Sequence, residues 1–140
     1  MQINKFIDHA VLHPTATSKD ITKGVEIAVR YDVATICVKS CDVALTSEAL
    51  KMHKSDVKVC SVIGFPHGNS EVFIKSEEAL EAISNGAKEI DMVVNIGRVL
   101  EGDWEYIHHE IRTLCDVVRS HGAILKVIFD RIEYLKPWGY

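Results

Sequence analysis

The 140-residue chain has no cluster of lysine and arginine, and its formal net charge is -4. Gripping a phosphate backbone takes a concentrated basic footprint, so nucleic acid is excluded as the main partner. No apolar run approaches the ~20 residues that cross a bilayer, so no membrane span is expected. The opening MQINKFIDHA carries no long apolar stretch of the kind a secretory signal needs. The four cysteines, Cys37, Cys41, Cys60 and Cys115, make no C-x-x-C pair. Cys37 and Cys60 lie inside apolar runs, where a thiol acts as a small hydrophobe. Reduced thiols in a cytoplasmic protein are expected. No G-x-G-x-x-G loop and no G-x-x-x-x-G-K-S/T loop is present, which removes nucleotide binding of those types. Adjacent residues on a helix diverge, so His108 and His109 cannot share one metal, and no metal is expected.

What is present is a regular alternation. Hydrophobic residues make up 47% and charged residues 26%, a balance that argues against disorder. Five short runs rich in Val and Ile read as buried strands: 5–10, 33–39, 57–64, 88–95 and 123–129. Four helical patterns lie between them. The first follows Thr17, with Asp20 at the reciprocal capping position and Ile21, Val25, Ala28 and Val29 on one stripe. The second covers 42–53. The third ends at Gly86. The fourth begins after Asp103, carries Ile107, Ile111, Leu114, Val117 and Val118, and stops at Gly122. Strand starts about 25–35 residues apart match one strand plus one crossover helix. The order β-α-β-α-β-α-β-α-β implies a parallel sheet, either curved toward a barrel or doubly wound in the manner of flavodoxin-type folds.

Side chains alternate faces along a strand. On the fourth run, Ile90, Met92 and Val94 oppose Glu89, Asp91, Val93 and Asn95. On the fifth, Leu125, Val127 and Phe129 oppose Lys126. If the apolar faces meet the helices, Asp8, Cys37, Asp91, Asn95 and Lys126 converge on the far face. An unpaired charge there is costly, so acid and lysine are expected to pair. Such a cluster reads either as a structural polar layer or as a proton-transfer site. The loop Gly64-Phe65-Pro66-His67-Gly68-Asn69 lies on the usual ligand side of a parallel sheet. A plain Pro-Gly turn with a solvated His67 is the preferred reading of it.

Five motifs are more specific. Ile7-Asp8-His9, Ala34-Thr35-Ile36-Cys37-Val38, Val62-Ile63-Gly64-Phe65-Pro66-His67-Gly68, the segment from Gly86 through Asp91 to Gly97, and Leu125-Lys126-Val127-Ile128-Phe129 occur in this order. Together, over about 6–129, they resemble the deoxyribose-phosphate aldolase family. The resemblance implies a (β/α)8 barrel, here incomplete, with about five parallel strands and four helices in 1–130 and a divergent tail in 131–140. It implies a class I aldolase that needs no metal or organic cofactor. Its substrate is a small phosphorylated sugar: 2-deoxy-D-ribose 5-phosphate is cleaved to glyceraldehyde 3-phosphate and acetaldehyde through a lysine imine. Asp91 matches the family's proton-relay aspartate. Asp8, Cys37 and Lys126 match residues lining the substrate pocket.

The sequence also departs from that family. Ala10 replaces a usual Thr, Lys39-Ser40 replaces a usual Asn-Pro or Tyr-Pro, and Asp130 replaces a Glu. The imine-forming lysine belongs to a Lys-Thr-Ser-Thr-Gly motif that these 140 residues do not contain. Lys126 beside Asp91 is expected to hold its proton and not to substitute for that lysine. The chain by itself is therefore expected to be inactive. The alternative reading is a non-catalytic half-barrel acting as an interaction or structural module. Its open strand edges predict self-association.

Overall fold

The computed structural model describes residues 2–129. The divergent tail expected at 131–140 lies outside them. The described residues form β1 (Asp8–Val11), α1 (Ser18–Tyr31), β2 (Thr35–Lys39), α2 (Val43–Met52), β3 (Lys58–Ile63), α3 (Val72–Ser84), β4 (Glu89–Val93), α4 (Ile96–Glu101), α5 (Trp104–Ser120) and β5 (Ile124–Ile128). All five strands pair in parallel, in the spatial order β1-β2-β3-β4-β5. A doubly wound sheet must reverse its strand order at a switch point. This sheet never reverses, so the flavodoxin-type alternative is overturned.

The sheet is also strongly curled. β1 and β5 are its two edges, and four strand spacings place them ~19 Å apart in a flat sheet. That is well beyond what one lysine and one aspartate side chain can bridge. Yet Lys126 Nζ on β5 lies 2.6 Å from Asp8 Oδ2 on β1. Only a sheet bent toward closure brings these edges together. The fold is therefore an incomplete barrel of (β/α)8 type.

The two faces of the sheet divide as the alternation predicts. Ile36, Val38, Ile63, Ile90, Met92 and Val94 point outward and join one core with Ile21, Val25, Ala28, Leu50, Ala79, Leu114 and Val118 of the helices. A smaller apolar group, Cys37, Cys60 and Val62, lies on the inner face with Leu12 against it. The Thr17 backbone N–H donates to Asp20 Oδ2 at 2.7 Å, which makes the expected capping contact of α1.

Two expectations need correction. Five helices, not four, are present among the described residues. Asn95 does not continue β4: its side chain accepts a hydrogen bond from the Arg98 N–H at 3.2 Å and starts the short α4. Gly102, at φ 76°, ends that helix. The first strand begins at Asp8, because Ile3–Phe6 form a 3-10 turn. The Asn4 amide donates to the carbonyls of Tyr31 and Asp32 at the end of α1, which fixes that turn outside the sheet.

Candidate functional site

The strand register explains the inner cluster. Asp91 is level with Lys126, Cys37 with Cys60, and Asp8 with Thr35. Period-two alternation sends all six side chains to the concave face. Lys126 Nζ is surrounded by three carboxylates: Asp8 Oδ2 at 2.6 Å, Asp91 Oδ1 at 3.1 Å and Glu89 Oε2 at 3.2 Å. Thr35 Oγ1 donates to the other oxygen of Asp8 at 2.7 Å. The Cys37 thiol sits 4.0 Å from Asp91 Oδ2.

Electrostatics follow from this packing. Burial disfavours a charged Lys126, but its hydrogen bond to Asp8 and the carboxylate of Asp91 outweigh that cost. The Lys126 ammonium is thereby held well above the ordinary lysine pKa. For Asp8 too, burial opposes charge, and the hydrogen bonds from Lys126 and Thr35 prevail, holding its carboxyl below the usual range. The neighbouring Cys37 thiol, followed by burial, pushes the Cys60 thiol far up.

Of the residues expected to converge, Asp8, Cys37, Asp91 and Lys126 do so. Asn95 does not, because it caps α4. Glu89, Thr35 and Cys60 complete the cluster, and alternation alone was enough to place them there.

At the C-terminal ends of β1, β2 and β3 a cavity of about 290 Å³ opens between Leu12, Pro14, Lys39, Ser40, Val62, Phe65, Pro66 and Glu78. Parallel sheets take their ligands on this side. The loop 64–69 forms one wall, and His67 is exposed. Gly68 has φ 68°, and a Cβ placed on it would lie 1.8 Å from the Val94 carbonyl oxygen. The glycine there is a packing requirement.

The cluster with the deepest burial was missed by the sequence reading. Lys75 of α3 and Glu110 of α5 are both 0% exposed and meet at 2.6 Å. Lys75 Nζ also donates to the carbonyls of Gly68 at 2.7 Å and Val93 at 2.8 Å. Glu110 Oε2 accepts from the Asn95 N–H at 3.0 Å. This pair ties the loop after β3 to the end of β4. The one available signal was an acid at position 110 inside the apolar stripe of α5.

Five consecutive parallel strands joined by crossover helices, with an inner face carrying carboxylates and a lysine, define a partial barrel of the kind used by (β/α)8 enzymes. By sequence and fold, the chain resembles the deoxyribose-phosphate aldolases over their N-terminal five βα units. The deoxyribose-phosphate aldolase of Treponema denticola is 48% identical over 130 residues, covering 93% of this chain and 59% of that protein. The one from Caldanaerobacter subterraneus is 45% identical over 131 residues, covering 93% of this chain and 56% of the relative. Among solved structures, a putative deoxyribose-phosphate aldolase from Coccidioides immitis superposes with a TM-score of 0.84 at 34% identity, covering 90% of this chain and 48% of that one. The tetrameric deoxyribose phosphate aldolase of Aeropyrum pernix gives 0.80 at 30% identity, covering 89% and 51%. No family model matches the chain. The chain spans a little over half the length of the curated relatives it matches. No helix among the described residues is long and apolar enough to cross a membrane.

Proposed function

We propose that this chain carries the proton-transfer side of a deoxyribose-phosphate aldolase site. The reaction is cleavage of 2-deoxy-D-ribose 5-phosphate to glyceraldehyde 3-phosphate and acetaldehyde through a lysine imine. Asp91, with a water, moves the proton to and from the enamine. Lys126 acts as a fixed cation that orients Asp91 through their 3.1 Å contact. Asp8 anchors Lys126, and Cys37 lines the pocket beside Asp91.

The observation that carries this reading is the triad of carboxylates around Lys126 on the concave face. The similarity to the aldolases supports it. An imine needs a neutral amine, and Lys126 is held as its ammonium. On this reading Lys126 is not the imine lysine, and the chain by itself is expected to be inactive.

A second reading is a non-catalytic half-barrel that works as an interaction module. Exposed apolar side chains near both sheet edges favour it: Phe6 and Ile7 before β1, and Ile124 and Phe129 at β5. One chimera separates the readings. Residues 1–129 are fused to the remaining part of the Treponema denticola relative and assayed for 2-deoxyribose 5-phosphate cleavage. The aldolase reading expects turnover, and a fall of about 10²–10⁴-fold in Asp91→Asn, the range for losing a general acid–base group. A folded but inert chimera, or an Asp91→Asn chimera with undiminished turnover, rejects it in favour of the module.

A further inference from the structure

The Cys37 and Cys60 sulfurs and a carboxylate oxygen of Asp91 lie within 4.8 Å of one another. The three residues come from adjacent strands, β2, β3 and β4, so no sequence spacing reveals them. We infer that they form a binding site for one soft divalent cation of the zinc or cadmium class.

Geometry is the first argument. A tetrahedral zinc site, with metal–sulfur bonds of ~2.3 Å and metal–oxygen bonds of ~2.1 Å, sets its ligand atoms ~3.6–3.8 Å apart. Closing the present group to that spacing takes about 1 Å of side-chain rotation, with the strands in place. Cys37 and Cys60 are already level in the β2–β3 register. Asp91 divides its two oxygens: Oδ1 faces Lys126 at 3.1 Å, and Oδ2 faces the Cys37 thiol. The carboxylate can therefore keep its ammonium partner while its second oxygen takes the ion.

Charge balance is the second argument. Binding replaces two thiol protons by one divalent cation, and the protons leave to solvent. The net charge of the buried cluster does not change, so the site avoids the cost of burying new charge. Softness is the third. Two thiolates with one carboxylate select zinc or cadmium over magnesium or calcium, which prefer all-oxygen cages. Cys37 and Cys60 are 3% and 0% exposed, but the neighbouring Lys126 side chain is 34% exposed on the open concave face, which provides an entry path. The site shares Cys37 and Asp91 with the aldolase reading, but its readout is binding and not turnover, so the two readings fail separately.

The test is a cadmium titration of the Cys41→Ser/Cys115→Ser chain, which removes the exposed and the half-buried thiol. A thiolate-to-cadmium ultraviolet band saturating at one ion per chain is expected. Cys37→Ser/Cys60→Ser should abolish the band, with far-ultraviolet circular dichroism reporting whether the variant folds. Asp91→Ala keeps both thiols and should weaken binding by at least about tenfold, since losing even an outer partner of a ligand costs that much. No band in the Cys41→Ser/Cys115→Ser chain overturns the site. So does an affinity that Asp91→Ala leaves unchanged.

Discussion

Replacing Lys75 by methionine tests the part of the fold with the highest local cost. The native ammonium is fully buried and has three partners: Glu110 Oε1, Gly68 O and Val93 O. Methionine fills similar space but donates nothing. Glu110 then keeps a buried carboxylate whose remaining contact is the Asn95 N–H. Removing one member of a buried pair costs about 3–5 kcal/mol. The two stranded carbonyls add about 1–3 kcal/mol each where water does not reach them. Against a typical domain stability of about 5–15 kcal/mol, Lys75→Met should sit near the edge of folding. A urea titration followed by circular dichroism should show its midpoint at least about 2 M below that of the parent chain. The double variant Lys75→Met/Glu110→Leu removes the stranded charge and leaves the two carbonyls unpaired. It should recover part of the loss, though not all of it. Two results would refute this reasoning: a single variant within about 1 kcal/mol of the parent, or a double variant less stable than the single.

Gly68→Ala should destabilise the chain by more than the ~1–2 kcal/mol that a left-handed conformation costs an L-residue, because its Cβ also meets the Val94 carbonyl oxygen. A thermal melt reads this, and a melt matching the parent would remove the packing requirement. The contact between Asp8 and Lys126 should give a plateau of stability over Asp8→Asn. Asp8 has a lowered folded pKa, so its contribution is present above 3.8 and is lost as pH falls through the lowered value. Lys126 has a raised folded pKa, so its contribution is present below 10.5 and is lost as pH rises through the raised value. Urea titrations of both proteins across pH should show the stability difference shrinking at both ends, and a difference that grows in acid contradicts the assigned direction.

Much of the inner face was legible because alternation is a backbone rule. Once Ile90, Met92 and Val94 were assigned to the helices, Glu89 and Asp91 had to face the other way, and the same logic placed Lys126. Register decided which of these residues meet, and register depends on pairing across strands. The meeting of Asp8 with Lys126 further requires curvature of the whole sheet. The ends of β1 and β4 misled for a local reason. Phe6 and Ile7 look like strand residues, yet Asn4 bonds to the end of α1 and holds the preceding turn away from the sheet. Asn95 looks like the next alternating position of β4, yet its amide oxygen has a better partner in the Arg98 N–H. The Lys75–Glu110 pair was invisible for a different reason. A lysine and a glutamate on separate amphipathic helices normally read as solvated, and only the packing of α3 against α5 buries both.

The two best-held lysines place the same limit on chemistry by different means. Lys75 has three N–H donors, and each is directed at an acceptor: two carbonyls and a carboxylate. Lys126 has a carboxylate within 3.2 Å in three directions. Both arrangements stabilise an ammonium, and neither leaves a lone pair free to attack a carbonyl carbon. The same features suit the work proposed for Asp91. A general acid–base group needs a fixed position and a stable neighbouring charge, and Lys126 supplies both through the β4–β5 register. The features that disqualify Lys126 as a nucleophile are therefore the ones that would make it an effective partner for Asp91. Removing its charge in a Lys126→Met chimera should lower turnover through Asp91, without altering which lysine is trapped by borohydride.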